Sequence, residues 1–263
     1  MAIYTSLTSD EISDFLSRYN IGNLVSAKGI LEGIENTNYL LETTQGKFIL
    51  TLFEQRTKQS ELPYFVELMQ WLHARGIPCP LPVKRADGGA LSALKEKPAL
   101  IVTFLEGSGV HAIRMEHVPQ LGVLVANMHI AGMDFPHRRE NRLSLDGWEE
   151  LRHKMGSDAD RVAPGLADII KEECIYLTEH WPDTLPSGAV HADLFPDNVF
   201  FTRERGAFRL SGVIDFYFAC HDMWAYDLAI CVNAWCFDDR HRFVPDRVNA
   251  LMDAYNEIRP MND

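Results

Sequence analysis

The sequence predicts an α+β protein of two lobes with a cleft between them. Up to residue 106 the chain has about five extended segments and one internal helix, and after the glycine-containing joint 106–109 it is mainly helical. A small sheet followed by a helical layer buries one face of each against the other and leaves a cleft where a ligand can bind. We therefore predict a β-rich lobe at residues 1–106 and a mainly helical lobe at residues 107–263.

The first lobe starts with a helix and continues with extended segments. Thr8 to Glu11 has the capping-box pattern, and apolar residues follow at helical spacing until Gly22. A turn at 44–46 and another at 87–89 predict two hairpins. The extended segments are predicted at 24–30, 39–43, 47–53 and 99–105, with a helix over 60–75.

The second lobe is predicted to be helical, with one β-rich island. Apolar residues recur at helical spacing on both sides of this island. The helices are predicted at 115–133, 164–180, 224–237 and 247–258, and the island at 189–201 with 209–216.

Composition and charge exclude several classes of partner. The chain has 25 Lys and Arg against 37 Asp and Glu, a formal net charge of −12. A field of that sign repels phosphate backbones and anionic lipids, so we expect neither nucleic acid nor membrane as a partner. Five cysteines without metal-finger spacing, no signal peptide and no apolar run near the roughly 20 residues of a membrane span predict a cytoplasmic protein. The oligomeric state does not follow from the sequence.

The densest group of chemistry-bearing residues lies in the island. His191, Asp193 and Asn198 fall in one loop, and Asp215 ends the apolar segment 212–216. A carboxylate at that place is costly unless it is hydrogen-bonded or holds a cation, and Asp and Asn oxygens are ligands that Mg²⁺ accepts together with phosphates. The spacing H-x-D-x-x-x-x-N followed by an apolar-Asp strand is that of the catalytic loop and metal Asp of kinases. The alternative is a hairpin in which Asp and Asn only form the turn.

The segments HADLFPDNVFF and GVIDF resemble the aminoglycoside-phosphotransferase and choline-kinase branch of the protein-kinase-like superfamily, whose members phosphorylate small molecules. A closer resemblance is to the bacterial homoserine kinases built on this fold, and it runs along essentially the whole chain. It is carried by YTSLTSDEISDFL, GIENTNYLL, KFILTLFEQR and GVIDFYFACHDMWAYDLAICVNAWCF. Those kinases continue with further helices, so a chain stopping at Asp263 is expected to be a fragment or a shortened member.

The resemblance implies a kinase-like fold, with a small antiparallel sheet in the first lobe and a larger helical second lobe. The implied activity is ATP- and Mg²⁺-dependent phosphorylation of the hydroxyl of L-homoserine, giving O-phospho-L-homoserine for threonine biosynthesis. One alternative is a kinase for another small hydroxyl acceptor: an aminoglycoside, a choline-like alcohol or a sugar. Another is a non-catalytic nucleotide-binding module, and a metal-dependent hydrolase using His191 is the weakest.

The resemblance also implies roles for single residues. Asp193 is expected to accept or orient the proton of the attacking hydroxyl, and His191 to brace its loop. Asn198 and Asp215 are expected to hold Mg²⁺ against the phosphates. The nucleotide is expected to contact the phosphate-covering turn, the connection between the lobes and a cation, with the contributing residues being Gly33, Asn36, Thr37, Asn38, Thr103, Leu105 and Arg56.

Two positions depart from the kinase pattern. Thr51 stands where the phosphate-binding Lys is expected, and Phe65 where its acidic partner is expected. Losing both is coherent, because a buried Glu without its Lys is an unpaired charge. Another cation must then face the phosphates, and Arg56 and Lys28 are the candidates.

Two residues are candidates for the acceptor pocket. Arg139 lies in a charged loop, which is either an ordinary solvated connection or a clamp for the substrate carboxylate. Asn233 lies on the helix after the metal strand, where core packing and pocket lining are both open.

Overall fold

The computed structural model describes residues 3–31, 35–54, 58–182 and 184–261. Gly33 and Arg56, both expected to contact nucleotide, lie outside the described residues.

A five-stranded antiparallel sheet forms the first part of the molecule. Its spatial order is β1-β2-β3-β5-β4, and the turn ending at Gly46 joins β2 to β3 as predicted. Asn38 pairs with Thr51 and Leu40 with Ile49, so these four residues share one face of the sheet. The strands are β1 Leu24–Gly29, β2 Thr37–Thr43, β3 Gly46–Leu52, β4 Ser92–Leu94 and β5 Lys97–Thr103.

The two faces of this sheet pack against different helices. Helix α1, Ser9–Leu16, has the predicted capping box at Thr8 and buries Phe15 on one face. Helix α2, Leu62–Ala74, packs on the other face, where Leu100 and Val102 join the main hydrophobic core. Each such fully buried side chain contributes about 1.5–3 kcal/mol to the free energy of folding. The outer face is therefore closed, and the inner face continues into the rest of the molecule.

Five further helices and two small sheets complete the fold. The helices are α3 Val118–Gly132, α4 Leu145–Met155, α5 Leu166–His180, α6 Trp224–Trp235 and α7 Pro245–Ile258, and the strands are β6 Ser187–Val190, β7 Val199–Glu204, β8 Ala207–Val213 and β9 Cys220–Met223. Strand β6 pairs with β9, and β7 with β8, both antiparallel. Helices α3 and α7 approach closely at Gly122, where a Cβ atom would lie 2.4 Å from the carbonyl oxygen of Leu251.

The predicted α+β architecture, with a sheet first and helices after it, is confirmed. One continuous cluster of buried side chains contains residues from both predicted lobes, from Phe53 to Tyr255. The boundary between residues 106 and 107 therefore stays a prediction. Helix α4 and strand β9 were not predicted from the sequence. No described helix has the length and apolar character needed to cross a membrane.

Candidate active site

A loop between β6 and β7 carries the predicted catalytic residues. The side-chain amide of Asn198 donates to the backbone carbonyl of Asp193 at 2.9 Å and to its carboxylate Oδ2 at 2.7 Å. Asn198 is buried, whereas Asp193 is half-buried. Two bonds from one fixed amide leave the Asp193 carboxylate little freedom, and its Oδ1 accepts no hydrogen bond from the described residues. The loop therefore holds one carboxylate oxygen ready for an external donor.

Asp215 lies beside this loop at the end of β8. The backbone amide of Ile214 donates to the carbonyl of Asn198 at 2.9 Å, which joins the two segments. Asp215 itself has the left-handed backbone conformation, with φ at +65° and ψ at +66°. Such a conformation is strained for any residue with a side chain and is found most often at functional sites. Because of this conformation, the backbone turns at Asp215 and does not continue in the direction of β8.

The site brings several negative charges close together. Partial withdrawal from water, together with the charges of Asp197 and Glu35, raises the pKa of the Asp193 carboxyl to about 6, although Asn198 opposes the shift. Asp215 as a whole is exposed, yet protein surrounds its carboxyl closely. This withdrawal from water, and then the charge of Asp193, raise its pKa to about 7. Carboxyl groups shifted in this way are those that a cation stabilises most.

The donor set fits Mg²⁺ shared with phosphates rather than an ion held by protein alone. Within the described ranges, no group of three His, Cys, Asp or Glu side chains is placed to hold a metal ion. Asp215 offers a carboxylate, and the side-chain oxygen of Asn198 accepts no hydrogen bond among the same residues. Mg²⁺ in nucleotide sites takes one or two such protein ligands and completes its octahedron with phosphate oxygens and water.

Asp227 holds the loop between β6 and β7 by accepting two of its backbone amides. Its carboxylate accepts the backbone amides of His191 at 2.9 Å and Ala192 at 2.7 Å, and it is fully buried on α6. These bonds fix Ala192 with φ at +61°, one residue before Asp193. His191 is also buried and meets the carbonyl of Ile214 through Nε2 at 3.0 Å, which favours the predicted bracing role over a chemical one.

Three further residues support Asp227. His129 Nε2 lies 3.2 Å from Asp227 Oδ2, the hydroxyl of Tyr255 lies 2.9 Å from His129 Nδ1, and Arg259 donates to that hydroxyl at 3.0 Å. Every donor in this series of hydrogen bonds meets an acceptor when His129 donates from Nε2 and accepts at Nδ1. Burial alone raises the pKa of Asp227, but its contacts with His129 and His191, including the hydrogen bonds from both, outweigh burial and hold the pKa below its ordinary value.

Replacing Asp227 by Asn is expected to destabilise the protein by about 3 kcal/mol, because one backbone amide and His129 then face an NH₂ group instead of an anion. Turnover is expected to fall as well, since the backbone amide of His191, two residues before Asp193, loses the bond that holds it. Urea unfolding and initial rates measure the two effects, with Asp253→Asn on the exposed side of α7 as the control for loss of one charge. A change in unfolding free energy below about 1 kcal/mol would contradict the role given to Asp227.

Two of the residues predicted to cover the phosphates, Asn36 and Thr37, use their side chains for hydrogen bonds within the protein. Thr37 donates its hydroxyl to Glu54 at 2.7 Å and receives the amides of Tyr4 and Thr5, so the hydroxyl is committed to the protein. Asn36 is buried and accepts the backbone amide of Glu54 at 3.3 Å. Both residues therefore anchor the turn, and any contact of Thr37 with nucleotide is left to its backbone.

The inner face of the sheet carries no ion pair where kinases have one. Asn38 accepts the hydroxyl of Thr51 at 2.7 Å, and Thr51 is buried. Phe65 on α2 is also buried, and Tyr217 packs edge-on against it with ring centroids 5.7 Å apart. The hydroxyls of Tyr217 and Thr51 interact. An apolar and hydroxyl-bearing contact occupies the place of the Lys and its acidic partner.

The connection after β5 offers one of the two predicted adenine contacts. The backbone amide of Thr103 donates to the carbonyl of Leu81 at 3.0 Å, and its hydroxyl accepts the amide of Leu81 at 2.9 Å. Thr103 is therefore occupied with the connector 77–82. The backbone amide and carbonyl of Leu105 make no hydrogen bond with the described residues. Leu105 is the better candidate for the adenine edge.

The structure argues against Arg139 as a bidentate clamp for a substrate. Its Nε donates to Glu61 at 2.7 Å, and its Nη1 donates to the carbonyls of Phe218 and Ala219 at 3.3 and 3.1 Å. Each fork of a guanidinium needs Nε or Nη1 together with Nη2, so both forks are blocked. The physical reason is the acidic partner, Glu61, which lies 78 residues away in sequence.

The α6 helix gives two further results. Asn233 is exposed, so it does not pack in the core, and its part in an acceptor pocket stays a prediction. Trp235 is fully buried and donates its indole N–H to the carbonyl of Leu194 at 2.7 Å. This bond fixes the catalytic loop one residue after Asp193. From the sequence, neither Trp235 nor Asp227 was assigned a role in holding this loop, although Asp227 stands out as the single carboxylate in a mostly apolar helix.

A model of the Phosphotransferase enzyme family matches residues 26–261. The chain is 49% identical to the homoserine kinase of Paramagnetospirillum magneticum over 264 residues, which covers 100% of this chain and 81% of that protein. It is 49% identical to the homoserine kinase of Nitrobacter hamburgensis and 47% identical to that of Rhizobium rhizogenes. Each match covers 100% of this chain and 79% and 81% of those proteins, respectively.

Solved structures with the same fold are more distant in sequence. A spectinomycin phosphotransferase in complex with ADP and spectinomycin superimposes with a TM-score of 0.73 at 13% identity, covering 98% of this chain and 82% of that one. An amicoumacin kinase in complex with AMP-PNP and Ca²⁺ gives 0.73 at 15% identity, covering 97% and 79%. A microcompartment-associated aminopropanol kinase gives 0.66 at 18% identity, covering 97% and 82%. These likenesses show that the described fold is shared with these three proteins.

Proposed function

The chain belongs to the phosphotransferase enzyme family, and we propose that it transfers the γ-phosphoryl group of ATP to the hydroxyl of L-homoserine. The observation that carries this function is the identity of 47–49% with homoserine kinases along the entire chain, against 13–18% for the structural neighbours that act on other acceptors. The product is O-phospho-L-homoserine, an intermediate of threonine biosynthesis. The proposal includes a cytoplasmic location and neither nucleic acid nor membrane as a partner, in line with the net charge of −12.

Asp193 is the general base in this proposal. Its free Oδ1 accepts the hydroxyl proton of the acceptor, while Asn198 holds the other oxygen at 2.7 Å. A carboxyl with a pKa of about 6 is largely ionised at neutral pH, and it is a stronger base than an ordinary Asp. The loop held by Asp227 and Trp235 therefore supplies a fixed base at little entropic cost.

Asn198 and Asp215 are the proposed ligands of Mg²⁺. The ion supplies charge stabilisation at the phosphates, where negative charge develops during transfer. Asp215 contributes the anionic ligand and Asn198 a neutral oxygen. The raised pKa values of Asp215 and Asp193 support this role, because they measure how strongly the site disfavours its own negative charge without a cation.

An acceptor screen tests the proposal. ADP release is measured with L-homoserine, an aminoglycoside, choline and 1-amino-2-propanol as separate acceptors, and ³¹P NMR identifies the product. Homoserine is expected to give the highest kcat/KM, with the phosphoryl group on its side-chain oxygen. Turnover with another acceptor at higher kcat/KM would assign the alternative, and nucleotide binding without turnover for any acceptor would assign a non-catalytic module.

Apparent Mg²⁺ affinity is expected to fall about tenfold between pH 8 and pH 6. A carboxyl with a pKa of about 7 is mostly ionised at pH 8 and mostly protonated at pH 6, so protons compete with the ion in that range. Half-saturation by Mg²⁺ at fixed ATP, measured at pH 6, 7 and 8, gives the dependence. Asp215→Asn is the matched control, and a wild-type dependence as flat as that of the variant would remove Asp215 from the metal site.

A further inference from the structure

We infer that the Glu61–Arg139 ion pair positions helix α2 against the segment after Asp215, and that it replaces the Lys–acid pair that this chain lacks. In kinases that pair links the sheet to the helix and must be in place for phosphoryl transfer. Here Thr51 and Phe65 occupy the two positions, and neither carries a charge. The link between the helix and the metal segment must therefore be made elsewhere, and this assignment rests on the proposed function.

A single guanidinium joins three elements. Glu61 ends the short helical turn Gln59–Glu61 that leads directly into α2. Arg139 donates to it from the loop after α3, and it also donates to the carbonyls of Phe218 and Ala219 at 3.3 and 3.1 Å. Those carbonyls lie three and four residues after Asp215. Movement of α2 is thus transmitted to the metal segment through one rigid planar group.

An aromatic contact supports the same link. The guanidinium carbon of Arg139 lies 5.1 Å from the ring centroid of Phe65, one helical turn after Glu61. Phe65 also packs against Tyr217, which is two residues after Asp215 and donates its backbone amide to the Asp215 carboxyl. Phe65, Arg139 and Tyr217 therefore connect α2 to the proposed metal ligand along two neighbouring routes.

Burial distinguishes this pair from an ordinary surface ion pair. The side chains of Arg139 and Glu61 are 14% and 16% exposed. Charge-assisted bonds in such a setting are short and directional. Removal of Arg139 leaves the carbonyls of Phe218 and Ala219 without this donor, and removal of the Glu61 charge leaves the Arg139 guanidinium without its carboxylate. Arg142 pairs with the same carboxylate but is 44% exposed, and its only side-chain partner among the described residues is Glu61. The chain thus contains its own control.

The experiment uses three variants of the pair: Arg139→Gln, Glu61→Gln and the double variant that carries both changes. Arg142→Gln is the control. KM for each substrate, kcat and Mg²⁺ half-saturation are measured, and calorimetry follows Mg·AMP-PNP binding to the unreacted enzyme. Hydrogen exchange follows the peptide that spans residues 216–223. The two variants of the pair are expected to raise Mg²⁺ half-saturation and to lower kcat by about tenfold, a typical size for coupling between sites. KM for homoserine is expected to change less than twofold, exchange at 216–223 to accelerate, and Arg142→Gln to match wild type within about twofold.

The kcat of the double variant is expected to be no lower than that of the less active single variant, because both single changes break the same link. Arg139→Lys keeps the charge but cannot reach the carboxylate and both carbonyls together, so it should restore activity only in part. A tenfold rise in KM for homoserine in Arg139→Gln, with Glu61→Gln unaffected, would overturn the inference and return Arg139 to the substrate. Unchanged exchange at 216–223 would also overturn it.

Failure of the proposed function gives a different result. If wild-type protein shows no homoserine-dependent turnover, the function falls, while nucleotide binding and hydrogen exchange still decide the inference. If thermal unfolding shows that Arg139→Gln does not fold, Glu61→Gln carries the test, because it removes the charge of the pair and leaves the bonds of Arg139 to the two carbonyls in place.

Discussion

Replacing Asp193 by Asn is expected to reduce turnover by about two to four orders of magnitude, with nucleotide affinity nearly unchanged. The amide cannot accept the hydroxyl proton, and it presents an NH₂ group to the donor of Asn198, which now lies 2.7 Å from a carboxylate oxygen. Positioning and proton acceptance are therefore lost together, whereas the residues proposed to bind the nucleotide and the metal remain.

Single-turnover kinetics and calorimetry with Mg·AMP-PNP measure the two quantities separately. Asp197→Asn is the matched control, because Asp197 is an exposed acid of the same loop that raises the pKa of Asp193 through its charge. That control should keep kcat within a few fold and move the acidic limb of the pH–rate profile to lower pH. Near-normal turnover in Asp193→Asn would exclude Asp193 as the general base.

The local chemistry of the site could be predicted because its residues are close in sequence. Asp193 and Asn198 are five residues apart in one loop, and their hydrogen bonds follow from that spacing. Asp215 ends a strand whose apolar pattern is plain in the sequence, and antiparallel pairing of β7 with β8 brings it back to the loop. Spacing of this kind can be interpreted from the sequence without any knowledge of the rest of the fold.

The supporting contacts could not be predicted, because their partners are distant in sequence. Asp227 and His129 are 98 residues apart, and Arg139 and Glu61 are 78 apart. The residue type alone made Arg139 a candidate for a substrate carboxylate. The folded chain supplies a carboxylate of its own, and the same guanidinium becomes part of the framework.

Missed elements have a local cause as well. Helix α4 has only eleven residues, carries a glycine near its start and buries none of its residues, so its helical pattern is weak in the sequence. Strand β9 has only four residues, and three of the four are half-exposed. By contrast, α2 and α3 each bury seven or more residues, and both were predicted within a few positions of their ends.

Replacing Asp215 by Ala is expected to abolish turnover and to remove the Mg²⁺-dependent part of ATP binding, while metal-free nucleotide binding stays largely intact. Only the phosphates depend on the ion, whereas the proposed adenine contact is the backbone near Leu105. Asn198→Ala is expected to show the same pattern more mildly, because a neutral amide stabilises a cation less than a carboxylate does. Calorimetry with and without Mg²⁺ separates the two binding terms, and equal loss in both conditions would show that Asp215 holds the fold.

Asp215→Asn separates the metal role from a folding role still further. Asn tolerates the left-handed conformation at φ +65° about as well as Asp, so the variant removes charge without adding strain. A carboxyl whose pKa rises to about 7 on folding destabilises the native state when ionised. That penalty is absent below about pH 4, where both states are protonated, grows as the pH rises, and is complete above about pH 7. Metal-free Asp215→Asn should therefore have a higher Tm than wild type at pH 8 and the same Tm near pH 4, while adding Mg²⁺ to the ATP-bound protein should raise the Tm of wild type only. A lower Tm for the variant at pH 8 would contradict this assignment, because it would mean that the ionised carboxylate stabilises the fold.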